Sequence, residues 1–246
     1  MSLMLDALIL LLVLYSLFKL RRAHLLLYDM RDQSRQDNVQ MFRQLEALQG
    51  LYAELDLGAS LPATRDWAAS PDFLLALTRH ARAKQPSLVV ECSSGASTLV
   101  LARCMQLNGA GKVLSLEHDP HYAAQTRAQL RQHGLQDWAQ VLDAPLKPLM
   151  LTGESWPWYD SSALPPDASI DMLVIDGPPQ ATREMARYPA GPMLFERLAP
   201  CAYVFVDDAN RIDELEILRR WKQAYPALHQ STLACEKGCA VLINGG

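Results

Sequence analysis

Val89-Val90-Glu91-Cys92-Ser93-Ser94-Gly95-Ala96-Ser97-Thr98-Leu99-Val100-Leu101 is the stretch that decides the fold. A short apolar run ends in a carboxylate, a tight turn of small residues follows, and apolar residues then recur at helical spacing. That pattern is strand, turn, helix, the opening of a doubly wound α/β sheet. The turn lies beyond the carboxyl end of the first strand, where such sheets bind ligands.

Downstream, the same alternation repeats. Lys112–Glu117 reads as strand two, again ending in a carboxylate, and residues 140–143 as a short strand three. Helices are expected over 97–107 and 121–133, the second stopped by Gly134. Residues 145–168, rich in Pro and holding Trp156, Trp158 and Tyr159, read as irregular. Strand four covers 170–176, a helix bent at Pro189 and Pro192 covers 183–198, strand five covers 203–206, and a further helix covers 213–224. Residues 229–234 and 240–243 flank Gly238 as a closing antiparallel hairpin. The expected fold is a Rossmann-like, mostly parallel seven-stranded sheet. A helix over 72–82, led in by 67–71, precedes it.

Upstream, residues 3–18 are apolar with Asp6 as the only charge, and Lys19, Arg21 and Arg22 follow at once. The run is shorter than the roughly 20 residues of a spanning helix, but Lys19 can snorkel and extend it. The charges follow the apolar run instead of preceding it, which argues for a signal anchor over a cleaved signal peptide. Residues 1–22 are therefore expected to be a single-pass transmembrane helix in the inner (plasma) membrane, with the body of the chain cytoplasmic. The other reading is an apolar helix packed on protein. Residues 23–62 form a polar helical linker. Its stripe Met41, Leu45, Leu48, Tyr52 and Leu55 would either pair two chains as a short coiled coil or lie on the main domain.

The 246 residues carry a net charge of −4 and a pI near 5.9, with no basic stripe, so nucleic acid is not an expected partner. Five cysteines without a framework spacing suit a reducing compartment. Cys235 and Cys239, four apart, read either as a metal or redox pair or as small apolar residues flanking a hairpin turn, and the second is the expectation.

Several side chains are candidates for chemistry. Glu117 at the end of strand two can accept both hydroxyls of a ribose. Asp176, Asp207 and Asp208 end strands four and five, which should be neighbours. Three converging carboxylates repel, and a divalent cation such as Mg²⁺ would compensate them and activate a substrate hydroxyl. Asp176 is also the candidate catalytic base. Arg183, Arg187, Asn210 and Arg211 face the same strand ends, either to bind an anionic acceptor or to make salt bridges with Asp207 or Glu214. Trp158, with Trp156 and Tyr159, would stack on an acceptor or anchor its loop.

The layout resembles the class I S-adenosylmethionine-dependent methyltransferases, and most of all the small-molecule O-methyltransferases of the catechol and macrocin type. The resemblance runs from about Trp67 to the C-terminus, so residues 63–246 are expected to be the methyltransferase domain. It rests on residues 91–98, Glu117, Asp143, 176–179 and 207–208. It implies S-adenosylmethionine as cofactor. Glu91 would orient the cofactor's amino group, and the turn at Ser93, Gly95 and Ser97 would contact its amino-acid part. His118 or the backbone after it would flank the adenine, and Asp143 would meet the adenine amino group. Metal-dependent members place acidic ligands at the ends of strands four and five. Two departures stand out: Ser93 occupies the place of a usual Gly, and Pro178 and Pro179 stand where relatives often carry a Lys or a second Asp. The implied function is O-methylation of a sugar, glycolipid or other small-molecule hydroxyl at the membrane face. The rival from another class is a membrane-tethered partner protein that kept the fold without activity. A nicotinamide enzyme is a lesser rival, because its fingerprint needs a third Gly where Thr98 stands.

Overall fold

The computed structural model describes residues 2–64 and 68–245, so the lead-in expected from Trp67 starts outside the described residues. Without an interior Pro, the N-terminal sequence runs as one helix, α1 (Ser2–Leu55), with no break where the apolar run gives way to the polar linker. The chain divides into two units after Leu45. In the first unit, an 18-residue window of α1 has a mean hydropathy of 2.2 and none of it is buried, so the helix is long and apolar enough to cross a membrane.

The second unit opens with the last turns of α1. Ala47, Leu51 and Leu55 are buried there, and Leu48 packs on the same core. Tyr52 Oη accepts the Leu61 N–H at 2.9 Å, and Arg103 donates to the Leu55 carbonyl at 2.8 Å. Leu48, Tyr52 and Leu55 therefore lie on the domain's own surface, while Met41 and Leu45 are 44% and 53% exposed.

Helix α2 (Pro71–Lys84) leads to β1 (Leu88–Cys92), α3 (Ala96–Asn108), β2 (Lys112–Glu117), α4 (Pro120–Gln132) and β3 (Ala139–Asp143). After β4 (Leu146–Leu151) and β5 (Glu154–Tyr159) come β6 (Ile170–Ile175), α5 (Ala190–Leu194), β7 (Leu198–Asp207), α6 (Ile212–Ala224), β8 (Leu228–Leu233) and β9 (Cys239–Asn244). The main sheet has the order β3-β2-β1-β6-β7-β9-β8, parallel through β7 and antiparallel at β9 and β8. Its central strands are buried on both faces, which explains why they read as continuous apolar runs. The strand order reverses between β1 and β6, so the ligand crevice is expected at the carboxyl ends of these two strands.

Two expectations need correction. Residues 146–159 are not irregular: β4 and β5 form a separate antiparallel hairpin in which Pro148 opposes Pro157, while residues 160–168 hold only a short 3₁₀ turn. Placing both donor-less residues on one rung confines the lost ladder bonding there. The single bent helix over 183–198 is also absent. Short 3₁₀ turns at Gln180–Thr182 and Phe195–Arg197 flank the five-residue α5. Pro189 and Pro192 remove helical donors. Gly191 is needed bare, since a Cβ there would lie 2.4 Å from the Trp221 indole nitrogen.

Candidate active site

The turn after β1 is built around Glu91. This carboxylate is fully buried, and its Oε2 accepts from Thr98 Oγ1 at 2.6 Å and Ser115 Oγ at 2.7 Å. Thr98 Oγ1 in turn accepts the Gly95 N–H at 3.1 Å, which ties the start of α3 to the end of β1. Burial pushes the Glu91 pKa up, opposed by the hydroxyls of Ser97, Thr98 and Ser115. Glu91 Oε1 is buried without a hydrogen-bond partner among the described residues. Ser115 was not singled out from the sequence, although a lone hydroxyl inside the strand Lys112–Glu117 was a legible signal.

Ser93 adopts φ = +125° and Gly95 φ = +150°. The first value is a region that a side chain occupies only under strain. The turn therefore keeps the backbone course of a glycine at Ser93, and its N–H donates to the Leu116 carbonyl at 3.0 Å.

Glu117 lies beside this turn, where β2 runs parallel to β1. Its Oε2 accepts from Ser94 Oγ at 2.8 Å and its Oε1 accepts the Asp119 N–H at 3.0 Å, with His118 Nδ1 3.1 Å away. Burial alone would raise its pKa; contacts with His118, the Asp119 N–H and Ser94 outweigh it and bring the pKa down. The pair in turn raises the pKa of His118. Asp143 sits opposite Glu117 in the β2–β3 register, but its carboxylate is 67% exposed and is held by Arg127 at 2.7 Å. As the last residue of β3 it also borders a groove of about 540 Å³ along the free edge of that strand, with Arg127 and Arg131.

At the other end of the crevice, Asp176, Asp207 and Asp208 come together, with one oxygen of each lying within 4.8 Å of the others. Arg187 is buried among them. Its guanidinium donates to Asp208 Oδ2 at 2.7 Å, to Asp176 Oδ1 at 3.2 Å and to the Asp207 carbonyl at 2.8 Å, with Glu214 at 3.6 Å. Of its two sequence readings, the salt bridge is therefore the one realised. Arg211 adds a 2.9 Å contact to Asp208. Burial first, then the charge of Asp207, raise the Asp176 pKa well above the carboxylate range, and burial with Asp208 raises that of Asp207 to about 6. Both oxygens of Asp207 and Oδ1 of Asp208 are buried and unpartnered among the described residues. A hard cation with oxygen ligands fits such a donor set.

The remaining candidates divide. Asn210 is exposed, with its side chain over Gly238. Arg183 stacks 3.6 Å over the Trp156 ring and pairs with Glu154, which locks the β4–β5 hairpin. Trp158 is buried in a core cluster with Val90, Leu116 and Leu173, so it anchors the hairpin and does not present a stacking face.

Residues 90–209 match a family model described as a methyltransferase domain. Fold and family match agree on a Rossmann-like methyltransferase fold, with the match running from β1 to just past β7. The fold is similar to cofactor-bound Rv0187 from MTB, at 21% identity over 81% of this chain and 90% of that chain, with a TM-score of 0.57. It is also similar to the O-methyltransferase TomG from Streptomyces achromogenes, involved in tomaymycin synthesis and solved with SAM (17%, 82% and 89%, 0.53). A third is the SAH-bound methyltransferase PaMTH1 from Podospora anserina (14%, 78% and 86%, 0.52). At these identities the likeness establishes the fold. No curated protein matches the sequence.

Proposed function

We propose that this chain is an S-adenosylmethionine-dependent O-methyltransferase, divalent-metal-assisted, acting on a hydroxyl of a sugar, glycolipid or other small molecule at the cytoplasmic membrane face. The observation that carries the reading is the pair of buried carboxylates at neighbouring strand ends. Glu91 has a free oxygen beside a glycine-like turn, and Glu117 has its pKa held low. The first suits the cofactor's ammonium group and the second its ribose hydroxyls. S-adenosylmethionine supplies the electrophilic methyl group; the chain's part is to orient it and exclude water. The backbone of Ser93 and Gly95, with Ser97, borders the amino-acid end, and His118 borders the adenine. Asp176, Asp207 and Asp208 would hold Mg²⁺, which would lower the pKa of an acceptor hydroxyl, and Asp176 would receive its proton. Arg211 and Asn210 line the acceptor side. The exposed apolar span of α1 supports the membrane anchor.

Calorimetric titration of the detergent-solubilised full chain with S-adenosylmethionine tests the core reading. Micromolar binding is expected, whereas none at millimolar cofactor would leave the inactive-partner reading standing. The strained Ser93 is the observation in that rival's favour. For the cation, Mg²⁺ added after chelation should bind the wild type and not Asp207→Asn. For the anchor, the chain should stay in the membrane pellet on alkaline extraction.

A further inference from the structure

The β4–β5 hairpin brings one polar group into the crevice that the proposed function leaves without a task. Tyr159, the last residue of β5, is 3% exposed, and its hydroxyl has no hydrogen-bond partner among the described residues. The neighbours of that hydroxyl are known. A Cβ placed on Gly177 would lie 2.3 Å from Tyr159 Oη, 3.2 Å from the Cys92 carbonyl oxygen and 3.3 Å from Ser93 Cβ. The hydroxyl thus sits where the β1 turn and the end of β6 converge, the point at which the strand order reverses.

The ring is held in place. Trp158 meets it edge-on at 5.2 Å and His118 at 6.0 Å, and β4 pairs with it at Leu146. A rigid, buried and unpaired hydroxyl bears its desolvation cost without compensation, unless a ligand supplies the partner. A phenol hydroxyl is a donor at ordinary pH, and burial pushes its pKa further up. It therefore requires an acceptor oxygen. In the cofactor reading, Glu91 serves the ammonium group at the amino-acid end, and the carboxylate of that same end is the acceptor nearest the β1 turn.

We propose that the Tyr159 hydroxyl donates a hydrogen bond to the carboxylate at the amino-acid end of bound S-adenosylmethionine, making the hairpin part of the cofactor site. This assignment rests on the cofactor reading above.

The test compares full-length wild type with Tyr159→Phe, titrated calorimetrically with two probes. S-adenosylhomocysteine carries the amino-acid end, and 5′-methylthioadenosine lacks it. The variant should bind S-adenosylhomocysteine about tenfold more weakly, the scale of one hydrogen bond to a charged group. Its 5′-methylthioadenosine affinity should stay within about twofold, and its unliganded melting temperature should hold or rise, since a hydroxyl without a protein partner is being removed. An unchanged S-adenosylhomocysteine affinity, equal losses for both probes, or a lowered melting temperature would each overturn the assignment. Wild type that binds neither probe would refute the cofactor reading itself, and this assignment with it, a result distinct from any difference between the two proteins.

Discussion

The two halves of the crevice hold their carboxylates by different means. At the ends of β1 and β2, Glu91 and Glu117 are cradled by hydroxyls, one backbone N–H and His118. At the ends of β6 and β7, Asp176, Asp207, Asp208 and Glu214 surround the single buried guanidinium of Arg187. The first half leaves Glu91 Oε1 without a protein partner, so changes there should register in affinity. The second half has built a counter-ion into the fold, so changes there should register in stability.

Arg187→Met probes the contrast most severely. Removing the counter-ion leaves buried carboxylates uncompensated and should destabilise the domain by about 3–5 kcal/mol in denaturant unfolding. A loss below about 1 kcal/mol would mean that the cluster is not held by this residue. Glu91→Gln is the opposite probe. The amide oxygen can still accept from Thr98 and Ser115, so unfolding should change little. Affinity for S-adenosylmethionine should fall by about 10- to 100-fold, the scale of a lost charge-assisted bond. An equal loss of stability would erase the distinction between the halves.

Ser93→Gly sharpens the cofactor half. Releasing the strained φ should stabilise by about 1 kcal/mol, less the added chain entropy of glycine. A lower melting temperature would show that the Ser93 side chain contributes more than its strain costs. The smallest effect concerns pH. Glu117 has a lowered folded pKa, so its stabilising contribution is present above the unfolded carboxylate pKa and is lost as pH falls through the folded value. His118 has a raised folded pKa, so its contribution is complete below its unfolded pKa and is lost as pH rises through the folded value. Wild type minus Glu117→Gln stability should therefore be largest in the window between the two and shrink at both ends, by about 1 kcal/mol for a pair with one half-buried partner. A flat difference would remove the pair.

The strand and helix order was legible because period-two and period-3.6 patterns are local, and the acidic strand ends were legible because a sheet topology predicts which ends meet. The hairpin at 146–159 was not, since five prolines within 145–168 read as loop until Pro148 and Pro157 are seen to share one rung. The helix over 183–198 had the right apolar content, but its prolines and the Trp221 contact at Gly191 outweighed it. The helical character of the linker was legible from its helix-favouring residues without Pro, and α1 runs through it without a break.

The sequence by itself determined the β1 turn, its Glu91, the acidic ends of β2, β6 and β7, and hence the Rossmann-like methyltransferase fold, because each is a short pattern of residues next to one another in the chain. Only the tertiary structure decided that Arg187 enters the acid cluster as a counter-ion, that Ser93 takes a glycine's backbone angle, and that the Tyr159 hydroxyl lies between the β1 turn and Gly177. Those outcomes depend on groups tens of residues apart meeting in a buried space, where the position of each is set by what the others leave free.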